Sequence, residues 1–338
     1  MILLTGASGV VGRAVAEELR ADRVVGLVHR DQDVPEVDEA IAGDIAAPRF
    51  GLTPERWERL AVETDAIVHS AALTEWGRPW DHYEAINLGG TRQAIELAGA
   101  AGAPVHLIST AFVHALECGH EDDLADDNVV KPYIRSKLAS ERLLGESGVP
   151  HSIFRPTNII GDSRTGASHR PQIVQVMSSW ICRGKAPYFP VHRGNLLDIV
   201  TLDVLAAAIA GAVEAEDLGG TYWVTNGPES MTAAEGIEVL VEHAAALGRE
   251  IEPAPLVDPR DGFPVPLERV PPTSRAFLKV LMDVSEVTHY CGGTLPTSMP
   301  QLRERFGVRA VVDVDAFRLS LEFWSADRAG AGEETVRR

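Results

Sequence analysis

Lysine is nearly absent from this chain: Lys131, Lys137, Lys185 and Lys279 are the only four in 338 residues, against 27 arginines. Even with the arginines, 31 basic side chains face 49 acidic ones, for a formal net charge of −18. So negative a balance works against nucleic acid or an anionic membrane as a partner. Cysteine is scarce too. Cys118, Cys182 and Cys291 are odd in number and far apart, which argues against a disulfide framework and suits a reducing cytoplasm. Long apolar runs are missing: the best stretch, Leu202 to Val213, is interrupted by Asp203 and falls short of the ~18 residues of a membrane span. Met1 to Thr5 runs directly into a glycine loop without a basic leader, so no signal peptide is expected. What remains, 45% hydrophobic and 24% charged, is the composition of a soluble globular protein with ample core.

The shortage of lysine makes one placement informative. Tyr133 and Lys137 stand four residues apart in a segment that reads as a helix starting at Pro132. Positions i and i+4 share a helix face, so the phenol and the ammonium can point into one cleft. A cation beside a phenol favours the phenolate, so the spacing predicts a lowered Tyr133 pKa and a usable proton donor. With five tyrosines and four lysines the spacing arises by chance only ~0.06 times. The alternative is a surface helix with a solvated lysine. The pair acquires meaning only beside a cofactor.

A nucleotide site is expected at the N-terminus. Ile2 to Thr5 reads as a buried strand, Gly6-Ala7-Ser8-Gly9-Val10-Val11-Gly12 as a loop, and Arg13 to Arg20 as helical. Strand, glycine loop and helix in that order are what a dinucleotide pyrophosphate requires: a tight turn at Gly6, close backbone approach at Gly9 and helix packing at Gly12. Ser8, Val10 and Arg13 fall in the same stretch. The second strand, Val24 to Val28, ends at His29-Arg30. An arginine there suits a 2′-phosphate and favours NADP(H), with Arg13 assisting, whereas NAD(H) sites use an acidic residue; Asp31 comes one position late. Further strands are expected to end at Asp44-Ile45, at His69 before the small turn Ser70-Ala71-Ala72, and at Ile108 before Ser109-Thr110. Strands alternating with helices predict an α/β, doubly wound parallel sheet of Rossmann type, with ligands at the carboxyl ends of its strands.

Taken together, these segments resemble the extended short-chain dehydrogenase/reductase superfamily, and within it the thioester reductase and fatty acyl-CoA reductase (male sterility-like) branch. The resemblance rests on Thr5-Gly6-x-x-Gly9-x-x-Gly12, Gly43-Asp44-Ile45-Ala46-x-Pro48-x-x-Gly51-Leu52, Val68-His69-Ser70-Ala71-Ala72 with Trp76, and Asn87-x-x-Gly90-Thr91. It continues through Ile108-Ser109-Thr110, Tyr133-x-x-x-Lys137, Arg155 to Gly166 and Leu197 to Asp203, with Gly161-Asp162-Ser163-x-Thr165-Gly166 the most branch-specific part. It implies that Tyr133 protonates a carbonyl oxygen, Lys137 holds the nicotinamide ribose, Thr110 bonds the substrate oxygen, and Asn87 supports the helix or a relay water. Pro156, Thr157, Asn158 and Ile159 would line the nicotinamide carboxamide. The resemblance covers roughly residues 1 to 225. Where the branch has a proline before its acidic residue, this chain has Thr201-Leu202-Asp203.

The expected organisation is a dinucleotide-binding domain from 1–160 and 195–225, a substrate domain from 161–194 and 226–325, and a frayed tail over 326–338. Seven prolines between Ile251 and Pro272 leave that segment as either a lid or a surface crossing. Trp180, Tyr188, Phe189 and His192 could line an apolar pocket, though core packing explains aromatics equally well. His120-Glu121-Asp122-Asp123 matches no zinc spacing and reads as a solvated loop, so no metal is expected. The expected activity is NADPH-dependent reduction of a small-molecule carbonyl (ketone, aldehyde or acyl thioester, free or carrier-bound) in a biosynthetic setting, by a cytoplasmic protein that admits a homodimer. The 338 residues include no carrier or adenylation segment, which keeps a diffusible ketone or aldehyde beside the thioester as substrate. The alternatives are a nucleotide-sugar epimerase or dehydratase with tightly bound NAD, and a non-catalytic NAD(P)-binding regulator.

Overall fold

The computed structural model describes residues 1–29 and 33–336. Its centre is a seven-stranded sheet. Six strands come first in the chain: β1 (Ile2–Thr5), β2 (Val24–Val28), β3 (Glu39–Ala42), β4 (Ala66–His69), β5 (Val105–Ile108) and β6 (His151–Pro156). Four short strands follow, β7 (Asn158–Ile160), β8 (Phe189–Pro190), β9 (Leu196–Leu197) and β10 (Ile199–Thr201), before β11 (Thr221–Val224) returns to the sheet edge. Every pairing in the sheet is parallel, in the order β11-β6-β5-β4-β1-β2-β3. Strands β1, β2, β4 and β5 are buried along their whole length, which is why they read as unbroken apolar runs. The order reverses at β1, which pairs β2 on one side and β4 on the other, so a crevice opens at their carboxyl ends.

Helices close both faces. In chain order they are α1 (Val10–Glu18), α2 (Pro54–Glu63), α3 (Trp80–Tyr83), α4 (Gly89–Ala101), α5 (His114–Glu117), α6 (Lys131–Glu146), α7 (Ile173–Ile181) and α8 (Leu202–Glu214). Then come α9 (Ala233–Ala246), α10 (Pro272–Tyr290), α11 (Met299–Phe306) and α12 (Asp313–Val336). Helices α1 and α8 share one cluster with β1, β2 and β11, joined by Met299, Leu302 and Val308 from α11 and the turn after it. A separate apolar cluster is built from Trp180, Tyr188, Phe189, Ile237, Leu240, Leu278, Phe317 and Leu321, contributed by α7, β8 and the residue before it, α9, α10 and α12. The third strand stops at Ala42 rather than Ile45, because the chain turns at Gly43, where a Cβ would come within 2.9 Å of the Phe50 carbonyl oxygen.

Between α3 and α4 the helix widens into one π turn, Glu84–Leu88, a feature common where a side chain must be re-aimed toward a site. The proline-rich segment is neither a free lid nor a bare crossing. Leu256–Val257 pairs in parallel with β8, Phe263 stacks on Tyr188 at 5.1 Å, and Ala254 and Val270 are buried in the second cluster. Helix α12 carries the backbone to Val336, across much of the segment expected to fray.

The Gly161 to Gly166 segment acts as a structural knot. Asp162 Oδ1 accepts from the Arg164 and Thr165 amides, while Ser163 donates its amide (2.9 Å) and hydroxyl (2.6 Å) to the Asp203 carboxylate at the start of α8. Gly166 has φ +71° and lies against α12: a Cβ there would stand 2.1 Å from the Leu319 carbonyl oxygen. Backbone strain and collision therefore act together. Gly166→Ala should lower unfolding free energy by about 2–4 kcal/mol, read by urea denaturation, whereas Gly145→Ala, with open space at its Cβ, should not destabilise the fold.

Candidate active site

The glycine loop between β1 and α1 leaves no room for side chains. A Cβ on Gly6, itself at φ +71°, would come within 2.8 Å of the Ala71 backbone, and one on Gly12 within 2.2 Å of the Gly6 carbonyl oxygen. Gly9 stands at the N-terminus of α1 without any side-chain cap. A loop held this close, opening on an uncapped helix end at the switch point, fits a dinucleotide pyrophosphate. Thr5 completes the floor: its hydroxyl accepts from the Ala71 amide (3.2 Å) and bonds His69 Nδ1 (2.8 Å). Burial, with the Lys137 charge adding to it, pulls His69 down to about 3, so its imidazole is neutral.

The other expected cofactor contacts ring this crevice. Ser8 is half-buried in the loop, and Val10 is the buried first residue of α1. Ser70, Ala71 and Ala72 follow β4 directly, and His29 is exposed just past β2. Asp44 caps its own turn, its Oδ1 accepting from the Ala46 amide at 2.9 Å, and Ile45 packs against Gly90. Arg13 is already engaged: both Glu36 carboxylate oxygens take its guanidinium, at 2.8 and 2.9 Å. Arg30 and Asp31 lie outside the described residues.

On α6, Tyr133 and Lys137 are both buried, on the face turned toward the end of β5. The Thr110 hydroxyl lies near the Tyr133 phenol and acts to lower its pKa, while it donates to the Pro156 carbonyl at 3.4 Å. Lys137 Nζ donates to the Ile108 carbonyl at 2.5 Å. The lowered phenol expected from the helical spacing is not realised. Burial raises the Tyr133 pKa and outweighs the opposing effect of the nearby Thr110 hydroxyl, while the ammonium is turned to the end of β5. Burial likewise draws Lys137 down to about 8, partly offset by Glu141.

Asn87 is a positioning residue. In the π turn it accepts from the Leu73 amide (2.7 Å), and its Nδ2 donates to the Leu73 carbonyl (3.2 Å) and to Ser136 Oγ on α6 (2.8 Å). Ser136 passes the tie on to the Tyr133 carbonyl at 2.7 Å. The loop after β4 is thereby bolted to the helix that carries Tyr133 and Lys137.

Pro156 ends β6, and Thr157, Asn158 and Ile159 follow it. The Thr157 hydroxyl and the Asn158 side-chain Nδ2 both donate to the Asp198 carbonyl, at 3.0 and 3.4 Å, and both residues line a second space, while Ile159 packs into the sheet core. That space is a cavity of about 140 Å³ between α7, α9 and α10, walled mainly by Met177, Ile181, Leu197, Leu240, Leu281 and Val284. Trp76 and Phe112, the latter two residues from Thr110, border it as well. Of the aromatics expected there, only Phe189 contributes. Trp180 stacks on Phe277, Tyr188 on Phe263 and His192 on His289, because each finds a ring partner in the surrounding packing. The α10 residues were not anticipated; their helical spacing was legible, but not the space they face. Among the described residues, no group of three His, Cys, Asp or Glu could hold a metal, and no helix is long and apolar enough to cross a membrane.

The folded pKa of Lys137 lies below the unfolded value of 10.5, so between about pH 8 and 10.5 the unfolded chain binds more protons and stability rises with pH. Lys137→Met removes that titration. The stability difference should therefore move in favour of the wild type as pH rises across this window, by up to roughly 3 kcal/mol, measured by urea unfolding at several pH values.

Comparison with known proteins agrees with this geometry. The family model described as Male sterility protein matches residues 32–209. A linear gramicidin synthase of Brevibacillus parabrevis is 32% identical over 182 residues, covering 50% of this chain and 4% of that protein. The hybrid PKS-NRPS synthetase pvhA of Talaromyces variabilis is 30% identical over 231 residues, covering 63% of this chain and 6% of that protein. The chain thus spans about one-twentieth of the length of these two relatives. Among solved structures, the terminal R domain from the myxalamid PKS-NRPS biosynthetic pathway superposes with a TM-score of 0.71 at 25% identity, over 95% of this chain and 89% of that one. Bordetella bronchiseptica WbmG, solved in complex with NAD, shares the fold at 18% identity and a TM-score of 0.65, over 96% of this chain and 94% of that one. With over half its residues under the family model and a Rossmann sheet opening on a glycine cradle, the chain belongs to the male sterility family, the NAD(P)H-dependent oxidoreductases of terminal-reductase type within the extended short-chain dehydrogenase/reductases.

Proposed function

We propose that this protein is an NADPH-dependent reductase of a thioester or related carbonyl, with Tyr133 as proton donor and Thr110 as the second donor to the carbonyl oxygen. The observation that carries the reading is the buried Thr110–Tyr133–Lys137 group beside the glycine cradle, with an apolar cavity beginning at Phe112 and Thr157. The nicotinamide, when bound, supplies hydride. The residues supply charge and position. The raised phenol is fully protonated at neutral pH, the form a donor needs, and Lys137 provides the positive charge that stabilises the phenolate left after transfer. Residues 161–194 and 226–325 are read as the part that receives the substrate, whose acyl portion would enter the cavity. A carrier-bound acyl thioester is the favoured substrate, since relatives of this chain lie within PKS-NRPS synthetases, but an acyl-CoA would present the same thioester.

Two measurements test this reading. Tyr133→Phe should leave the fold intact and lower NADPH-dependent thioester turnover by at least about a hundredfold; wild-type turnover would remove Tyr133 from the donor role. The preference for NADPH rests on Arg30, because Glu36 already engages Arg13. Arg30→Ala should raise KM for NADPH about tenfold or more and leave KM for NADH nearly unchanged, in initial-rate assays with each cofactor.

A further inference from the structure

Two residues in the wall of the apolar cavity each carry a buried polar atom without a partner among the described residues. Asn195 is 6% exposed, and its Oδ1 has no hydrogen-bond partner among the described residues; the same is true of the buried Thr294 Oγ1. Both residues line the cavity. They are brought side by side by the backbone, since the Leu196 amide donates to the Gly293 carbonyl at 2.8 Å. The orientation of the Asn195 carboxamide is settled by its other end: Nδ2 donates to the Ser285 carbonyl (2.7 Å) and to Ser285 Oγ (3.1 Å). The Oδ1 atom is therefore a true acceptor left without a donor. Nearby polar groups are spent. Ser285 Oγ also takes the His192 amide at 2.8 Å, Thr288 donates to the Val284 carbonyl at 3.0 Å, and the Asp198 carboxylate accepts from the Asn226 and Gly227 amides.

A buried acceptor and hydroxyl without partners are costly to keep, and such a cost is retained where a ligand repays it. We propose that Asn195 and Thr294 are specificity-determining residues: they select acyl chains that carry one hydrogen-bonding group, an amide or a hydroxyl, at the depth of this wall, over plain alkyl chains. An amide matches the pair on both sides, its N–H donating to Asn195 Oδ1 and its carbonyl accepting from Thr294 Oγ1. The rest of the chain would lie against Leu281, Val284 and Leu240. The inference rests on the thioester-reductase reading for its substrate but can be tested without it.

The test uses decanoyl-CoA and CoA thioesters of the same chain length in which an amide replaces two methylenes at successive positions, such as N-heptanoylglycyl-CoA. Binding to the full chain is measured by calorimetry with NADP+ present, where no reduction can occur, and turnover separately with NADPH. One amide position should bind, and be turned over in kcat/KM terms, at least tenfold better than decanoyl. Thr294→Val, which removes a hydroxyl that holds nothing in the fold, should abolish that advantage and leave decanoyl unchanged. Asn195→Leu should do the same, with Ser285→Ala as the control that loses the Ser285 hydroxyl but keeps the bond from Nδ2 to the Ser285 carbonyl. Equal binding of all chains to the wild type, or equal losses for both chain types in Thr294→Val, overturns the proposal. Selective binding without turnover of any thioester would support the polar wall and remove the thioester reading instead.

Discussion

One carboxamide holds the candidate site together. Asn87 closes a two-way bond with the backbone of Leu73 and a third bond with Ser136, so the loop leaving β4 and the helix α6 cannot move apart independently. The π turn is what aims it. An ordinary helix from Trp80 through Ala101 would rotate position 87 by the angle of one extra residue, away from α6. Because the cofactor cradle contacts the same loop through Gly6 and Ala71, one side chain sets the distance between cradle and phenol.

Burial then sets the electrostatics. Tyr133, Lys137 and His69 all sit where water is excluded, and in each the charged form is disfavoured: the phenol goes up, the lysine and histidine go down. At neutral pH a site built this way keeps one charge, the Lys137 ammonium, beside a neutral phenol and a neutral imidazole. That buried charge becomes more favourable when a polar ligand completes the environment, as expected of preorganised donors in a low-dielectric cleft.

The sheet was legible because its central strands are buried on both faces and its first turn has no room for side chains, two constraints that leave plain marks in the residues. Strands β6 and β11 left weaker marks. His151, Ser152, Arg155, Thr221 and Tyr222 interrupt the apolar run, and the structure shows why they are tolerated. Ser152 Oγ bonds His106 Nδ1 at 2.7 Å, Arg155 is paired with Glu117 and Glu141, and Tyr222 reaches Asp217. The Tyr133–Lys137 spacing was local and readable, but the direction of the ammonium was not, because it depends on where β5 ends. Asn195 and Thr294 carried no signal at all: an asparagine after a glycine and a threonine after a helix are ordinary turn chemistry, and only a backbone bond across the fold brings them together.

Gly166 and Gly161 meet α12 at Leu319 and Ser320, and Phe317 and Leu321 of the same helix fill the second apolar cluster. The family model ends at residue 209, more than a hundred residues before that helix begins. A piece ending at residue 209 would thus keep the cradle, Tyr133 and Lys137, yet leave the Gly166 turn and half an apolar core facing water. During synthesis the same holds for the growing chain. The second apolar cluster has no finished surface until α12 is made, so the cavity, which Phe317 lines, can close only once that helix is in place.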